Sequence, residues 1–299
     1  MWVKIEMIEH ILTNLPYSVQ KKITNNLPKS VKEVVPTAVE AWWNREIIRQ
    51  AIERDGRKQF ARDFIQQYGQ RVRRGPFEGL VLPEKAMEKS DIVPDLIGST
   101  ECELHRVLDE VRTREFDQII NIGSAIGYYA VGLARMFPEV PVWAFDPSLW
   151  CREVTRETAS LNKVDGRVNV CSTCTSKWLS NNLTGKSLIF CDCEGCEFEI
   201  LNPNKVSNLK EAAIVVELHG EDLLGEKEKD EEFIEAYSDS HRCKAVKYNP
   251  PGKSDQRVPS YYPELEGFSE ERGWNAVSDN RGGSGSWLFA TPKSHFGQT

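Results

Sequence analysis

Residues 117–147, DQIINIGSAIGYYAVGLARMFPEVPVWAFDP, constrain the fold more than any other stretch. An apolar run enters a Gly-x-x-x-Gly turn at Gly123 and Gly127, continues with helical apolar spacing, and ends in a second apolar run closed by Asp146. That pattern is one β-turn-α-β unit, which needs a parallel sheet and places its ligand at the strand ends. The glycines suit a sharp strand-to-helix turn and close approach of backbone to a nucleoside. Their spacing is not the Gly-x-Gly-x-x-Gly of a dinucleotide pyrophosphate site, which argues against a nicotinamide enzyme. Asp146 lies where a carboxylate can hold ribose hydroxyls; its plainer reading is a helix cap before Pro147.

Downstream the alternation continues. Strands are expected at 117–122, 141–145, 167–171, 187–191, 213–218, 243–248 and 285–290, with helical pieces at 126–136, 148–162, 196–201 and 229–240. The expected fold is α/β, a mostly parallel sheet with helices on both faces. Ahead of it, residues 1–75 read as a helical segment. Residues 76–98, punctuated by Pro76, Gly79, Pro83 and Pro94, read as a linker with one small hairpin, and 99–299 as the main domain. Ser99-Thr100-Glu101-Cys102-Glu103 offers N-cap chemistry for a helix carrying Leu104, Val107, Leu108 and Val111.

Charge is uneven. The formal net charge is −7, yet residues 1–75 hold 14 Lys and Arg against 8 Asp and Glu, a balance of +6 that leaves −13 for the rest. The acidic body is unsuited to a nucleic-acid groove, and no apolar run is long enough to span a bilayer. With no signal-peptide pattern, a cytoplasmic location follows. The eight cysteines are then expected as reduced thiols. The Trp42-Trp43 pair reads as core or interface and offers an oligomer contact through the N-terminal helices; Arg71, Arg73 and Arg74 read as a solvated cluster.

The remaining polar residues of note follow strands. SLIFCDCEGCEFEIL runs from a buried strand into Asp192 and Glu194, and AAIVVELHG places Glu217 and His219 two residues apart, on one strand face. Three carboxylates and an imidazole at adjoining strand ends can deprotonate a hydroxyl or hold a divalent cation, or can form a polar network that orders loops. Cys171, Cys174, Cys191, Cys193 and Cys196 raise a zinc reading, but Cys191 and Cys193 flank Asp192 on a strand and converge poorly. In the C-terminal part, Arg257, Tyr261 and Tyr262 are positioned to contact an acceptor or to pin a loop, and Arg281–Gly285 reads as a turn.

Together these residues resemble the class I S-adenosylmethionine-dependent methyltransferases, and within them the FkbM-like group. Asn121-Ile122-Gly123-Ser124-Ala125-Ile126-Gly127-Tyr128-Tyr129 is similar to that group's Asp-Val-Gly-Ala-Asn-Ile-Gly-Tyr-Tyr. Ala144-Phe145-Asp146-Pro147 is similar to its Phe-Glu-Pro, and Asp192-Cys193-Glu194-Gly195-Cys196-Glu197 to its Asp-Val-Glu-Gly-Ala-Glu. The likeness spans about residues 98–292. It implies a seven-stranded Rossmann-like sheet, S-adenosylmethionine as cofactor, and methyl transfer to a hydroxyl of a sugar or small metabolite. It carries over Asn121, Gly123, Ser124, Gly127, Asp146, Thr173 and Asp192 as cofactor residues. His219 and Glu217, with Glu194, are the candidates for proton removal; no metal ligands are assigned, although a divalent cation stays a candidate cofactor. Asn121 stands where the group has an acid, and restoring Asp there is expected to tighten cofactor binding. A catalytically degenerate scaffold is the alternative, favoured by Asn121 and the basic N-terminal segment.

Overall fold

A computed structural model describes residues 56–88, 92–220, 227–247, 262–266, 277 and 286–295. The expected helices before residue 56, the Trp42-Trp43 pair, Arg257, Tyr261 and the turn at 281–285 lie outside the described residues.

The seven expected strands form one sheet: β1 (Gln118–Ile122), β2 (Val142–Phe145), β3 (Val168–Cys171), β4 (Ser187–Cys191), β5 (Ala213–Leu218), β6 (His241–Lys247) and β7 (Ser286–Pro292), in the order β3-β2-β1-β4-β5-β7-β6. Pairings from β3 to β5 are parallel, and β7 runs antiparallel between β5 and β6. Strands β1, β4 and β5 are buried at every position, because helices cover both faces. Alternate residues divide between two apolar layers, with Ile119, Phe190 and Val215 in one and Ile120, Ile189 and Val216 in the other. Edge strand β6 is largely exposed and carries Arg242, Lys244 and Lys247, a charged edge that discourages further strand pairing.

Helices form where their caps and apolar faces direct. The described part of α1 covers 56–68; α2 is Ile92–Ile97, α3 His105–Arg112, α4 Tyr128–Met136, α5 Leu149–Leu161, α6 Ser176–Asn182, α7 Glu197–Ile200 and α8 Lys227–Ser238. Ser148 caps α5 by accepting from the Cys151 N–H, and Thr175 caps α6 by accepting from that of Trp178. The cap expected from Ser99 and Thr100 is not formed. Thr100 donates instead to Asp95 at 2.6 Å, and α3 follows a short 3₁₀ turn at Cys102–Leu104 with no side-chain cap.

The stretch expected as a linker is built into the body. Phe77, Leu80, Leu82, Ile92, Val93, Leu96 and Ile97 are buried in the same cluster as Ile119 and Phe190. The expected hairpin reduces to an antiparallel bridge between Arg71 and Val81. Asn162, just past α5, clasps this segment, accepting from Val81 N at 2.9 Å and donating to Val81 O at 2.7 Å. Nor is the arginine cluster merely solvated: Arg74 donates to both carboxylate oxygens of Glu264, at 3.0 and 3.1 Å.

Phe77 reaches α4 through a gap that only glycine leaves. A Cβ on Gly132 would lie 2.5 Å from the Phe77 ring. Gly132→Ala would gain about 1 kcal/mol of helix propensity, while overpacking a filled core costs about 1–3 kcal/mol. The expected result is net destabilisation of about 1 kcal/mol, read as a lower urea midpoint with unchanged slope.

Candidate active site at the carboxyl ends of the strands

Sheet order reverses between β1 and β4, since β1 leads outward to β2 and β3 while β4 leads to β5. A crevice outside the carboxyl ends at such a switch point is where open α/β sheets take ligands. Loops after β1, β2, β4 and β5 supply the candidate residues.

After β1 the chain turns with Gly123 at φ 84°, Ala125 at φ 45° and Gly127 at φ 83°. Glycine is required at 123, where a Cβ would fall 1.6 Å from the backbone oxygen of Asp192. The loops following β1 and β4 therefore touch backbone to backbone. Gly123 N–H and Ser124 N–H both donate to Phe145 O at 2.9 Å, which ties the same loop to β2. From below, α5 supports it: Thr155 donates to Ala125 O at 3.1 Å and Thr158 to Ile126 O at 2.8 Å. Ser124 is buried, its hydroxyl 3.2 Å from that of Thr155.

Asp146 is mostly buried, and each oxygen accepts a backbone N–H at 2.9 Å, one from Ala125 and one from Ser148. The cap of α5 is Ser148, so Asp146 serves chiefly to join the β1 loop to the start of α5. Thr173 stands exposed in the turn after β3. Asn121, fully buried on β1, donates from Nδ2 to Phe190 O at 3.2 Å, while its Oδ1 is buried with no hydrogen-bond donor among the described residues. An Asp at 121 would lose the Nδ2 donor and set a carboxylate against the Phe190 carbonyl. The sequence did not reveal that cost, and it opposes the expected gain in cofactor affinity.

At the ends of β4 and β5 the acids and the imidazole do converge. His219 Nε2 lies 3.6 Å from Asp192, 3.7 Å from Glu194 and 3.6 Å from Glu217. The opposite ring nitrogen, Nδ1, is 3.1 Å from Oε1 of the fully buried Glu197. That oxygen also accepts from His219 N–H at 3.0 Å, and Glu197 Oε2 accepts from Gly195 N–H at 3.0 Å. Glu197 thus fixes the imidazole with Nδ1 protonated and Nε2 turned toward the other acids. Burial alone would lower the His219 pKa, but Glu197, Asp192 and Glu194 together outweigh it and raise it above the ordinary value. Glu194 adopts φ 57° and Gly195 φ 103°, which aims the two acids from a tight turn.

Cysteine chemistry differs from the expectation in one place: Cys193 and Cys196, which bracket that turn, are joined in a disulfide, while Cys102, Cys151, Cys171, Cys174, Cys191 and Cys243 are free. Burial pushes the Cys174 thiol up to about 12. Neither group of potential metal ligands among the described residues includes a cysteine. Also among them, no helix is long and apolar enough to cross a membrane.

Three residues of the site were missed as participants. Glu197 closes the Asp192–Glu197 motif, and that position is its only signal in the sequence. Glu101, nearly buried at φ 47°, bonds to the Tyr129 hydroxyl, and Tyr129 stacks on Phe190 at 4.0 Å. No periodicity marks Glu101, because it lies in an irregular turn.

No family model matches this chain, nor does any curated protein. Solved structures do. An O-methyltransferase from Bacillus cereus, solved in complex with SAH, aligns at 16% identity over 65% of this chain and 81% of its own, with a TM-score of 0.43. TomG, an O-methyltransferase from Streptomyces achromogenes solved with SAM, aligns at 17% identity over 56% and 86%, TM-score 0.41. A human methyltransferase 10 domain containing protein aligns at 13% identity over 79% and 93%, TM-score 0.44. The fold is Rossmann-like. Its seven strands, with β7 alone reversed, make the mostly parallel seven-stranded sheet that the resemblance implied.

Proposed function

We propose that this protein is an S-adenosylmethionine-dependent methyltransferase of the FkbM-like group that methylates a hydroxyl of a sugar or other small metabolite. The observation that carries the reading is the meeting, at the sheet's switch point, of a glycine-tight β1 loop with an acid and imidazole cluster. Structures of the Bacillus cereus and Streptomyces achromogenes enzymes with SAH and SAM bound are consistent with that choice of cofactor.

Residues present in the crevice fit the cofactor. Asn121 Oδ1 is a buried acceptor lacking a donor, which the methionine ammonium or a bridging water would supply. Gly123 leaves no side chain between the β1 and β4 loops. Asp146 has spent one lone pair of each oxygen on backbone N–H groups; a carboxylate has about four acceptor sites, so two remain for ribose hydroxyls. Gly127 and Ser124 shape the same loop, Thr173 borders the adenine side, and Asp192 stands between cofactor and acceptor.

S-adenosylmethionine supplies a methyl group already activated on a sulfonium. The chain's own task is positioning and removal of one proton from the acceptor. Glu197 holds the ring of His219, whose Nε2 faces the crevice beside Glu217 and Glu194. This cluster takes the hydroxyl proton as the oxygen meets the methyl in line.

A screen of hydroxylated sugars and metabolites with methyl-labelled cofactor tests the proposal. Label is expected in an O-methyl product, with His219→Gln lowering kcat far more than KM. Transfer to nitrogen or carbon only would refute the O-methyl assignment.

A further inference from the structure

We infer that Asp192, Glu194 and His219 form a divalent-cation site, with Glu217 beside it as the proton acceptor. Its part in methyl transfer rests on the proposed function; the cation site stands on geometry alone.

Acidic residues clustered at a strand end are common and bind nothing by themselves. What distinguishes this cluster is the imidazole. The side chain of His219 is only 9% exposed, yet Nε2 makes no hydrogen bond among the described residues: its nearest acids stand at 3.6, 3.7 and 3.6 Å. Nδ1, by contrast, is held at 3.1 Å by Glu197. A carboxylate fixing one nitrogen of a histidine while the other faces oxygen ligands is the arrangement that orients metal-binding histidines. A protonated ring so oriented aims a single N–H at three carboxylates at once, a place where a divalent cation would meet all three and the ring nitrogen together.

Charge balance leads to the same conclusion. Among the described residues, His219 is the ion-pair partner of both Asp192 and Glu194, and it is committed to Glu197 as well. One imidazolium cannot offset so many carboxylates in a largely buried space. Asp192 Oδ1 is itself buried, with no hydrogen-bond donor among the described residues. One ligand atom from each of Asp192, Glu194 and His219 lies within 4.8 Å of the others, and a second such group, Glu101, Asp192 and Glu217, shares Asp192.

Spacing agrees with coordination. Two ligands at about 2.2 Å from one ion are separated by about 3.1 Å at a right angle and about 3.6 Å at the tetrahedral angle. The 3.6–3.7 Å edges around Nε2 therefore need almost no rearrangement. One imidazole with carboxylates suits Mn2+ best, because carboxylates favour Mg2+, Ca2+ and Mn2+ while an imidazole favours the transition metals. A cation there would hold an acceptor hydroxyl and acidify it, and Glu217, buried alongside, would receive its proton as the carbon–sulfur bond breaks and the carbon–oxygen bond forms.

Chelator-treated, dialysed full-length protein titrated with Mn2+ and followed by electron paramagnetic resonance tests the site without any turnover. One equivalent should bind per chain, with Zn2+ competing and Mg2+ competing more weakly. Asp192→Asn and Glu194→Gln should each weaken binding by at least about 10-fold, since loss of even an outer-shell partner costs about 10–100-fold. Glu194 is 75% exposed at its side chain, so Glu194→Gln tests the site without threatening the fold. Failure of Mn2+, Zn2+ and Mg2+ alike to bind at millimolar concentration overturns the inference, as does Mn2+ binding that Glu194→Gln leaves unchanged. Calorimetry with S-adenosylmethionine on the same sample separates the two claims: cation bound without cofactor refutes the methyltransferase reading and keeps the site, and the reverse refutes the site alone.

Discussion

Gly123→Ala should destabilise the protein by about 2–5 kcal/mol, through about 1–2 kcal/mol for a side chain in the left-handed region and about 1–3 kcal/mol for overpacking. Overpacking applies because the new methyl meets a backbone atom, Asp192 O at 1.6 Å, and no rotamer change can clear it. Relief requires the β1 and β4 loops to part, although Asp192 N–H bonds to Ile122 O at 2.9 Å and Gly123 N–H to Phe145 O at 2.9 Å. Against a total of roughly 5–15 kcal/mol for an ordinary domain, the urea midpoint should fall sharply, and cofactor affinity with it. A midpoint unchanged from the parent would mean that the two loops do not touch.

Glu197→Ala should be of similar size, for a different reason. Its carboxylate accepts from Gly195 N–H, His219 N–H and His219 Nδ1. Each buried donor left without an acceptor costs about 1–3 kcal/mol. Removing one acid from beside several others returns part of this through reduced repulsion and desolvation, so a net loss of about 2–4 kcal/mol is expected. The imidazole should also lose its fixed tautomer, seen in the ring nitrogen shifts of His219. Glu197→Gln keeps the shape and one acceptor oxygen and should restore part of the stability. If Glu197→Ala leaves the His219 ring shifts unchanged, Glu197 does not position the imidazole.

Strands and their order of appearance were legible because buried parallel strands read as continuous apolar runs, and DQIINI, SLIFC and AAIVVEL are such runs. Strand alternation also brought Glu217, on β5, and His219, one residue past its end, to one side, where they lie 3.6 Å apart. Residues 76–98 misled because prolines and glycines punctuate short apolar pieces in linkers and in packed irregular structure alike. Only tertiary contact, such as Phe77 filling the space over Gly132, tells the two apart. Asp146 stood out only as an acid ending a strand, and its bond to Ala125 N–H joins residues 21 positions apart, beyond any local pattern. Glu101 was legible only as part of the N-cap stretch 99–103; it makes no side-chain cap and instead reaches Tyr129 across the fold from an irregular turn.

The central claim is that the crevice at the β1/β4 switch point holds S-adenosylmethionine, and calorimetric titration of the full-length protein with this cofactor tests it most directly. The account predicts one site of about micromolar affinity, −8 kcal/mol or so in binding free energy, weakened at least roughly tenfold by Asp146→Ala through the lost charge-assisted bonds to the ribose. Heat indistinguishable from dilution at millimolar cofactor, or binding that Asp146→Ala leaves untouched, would contradict it.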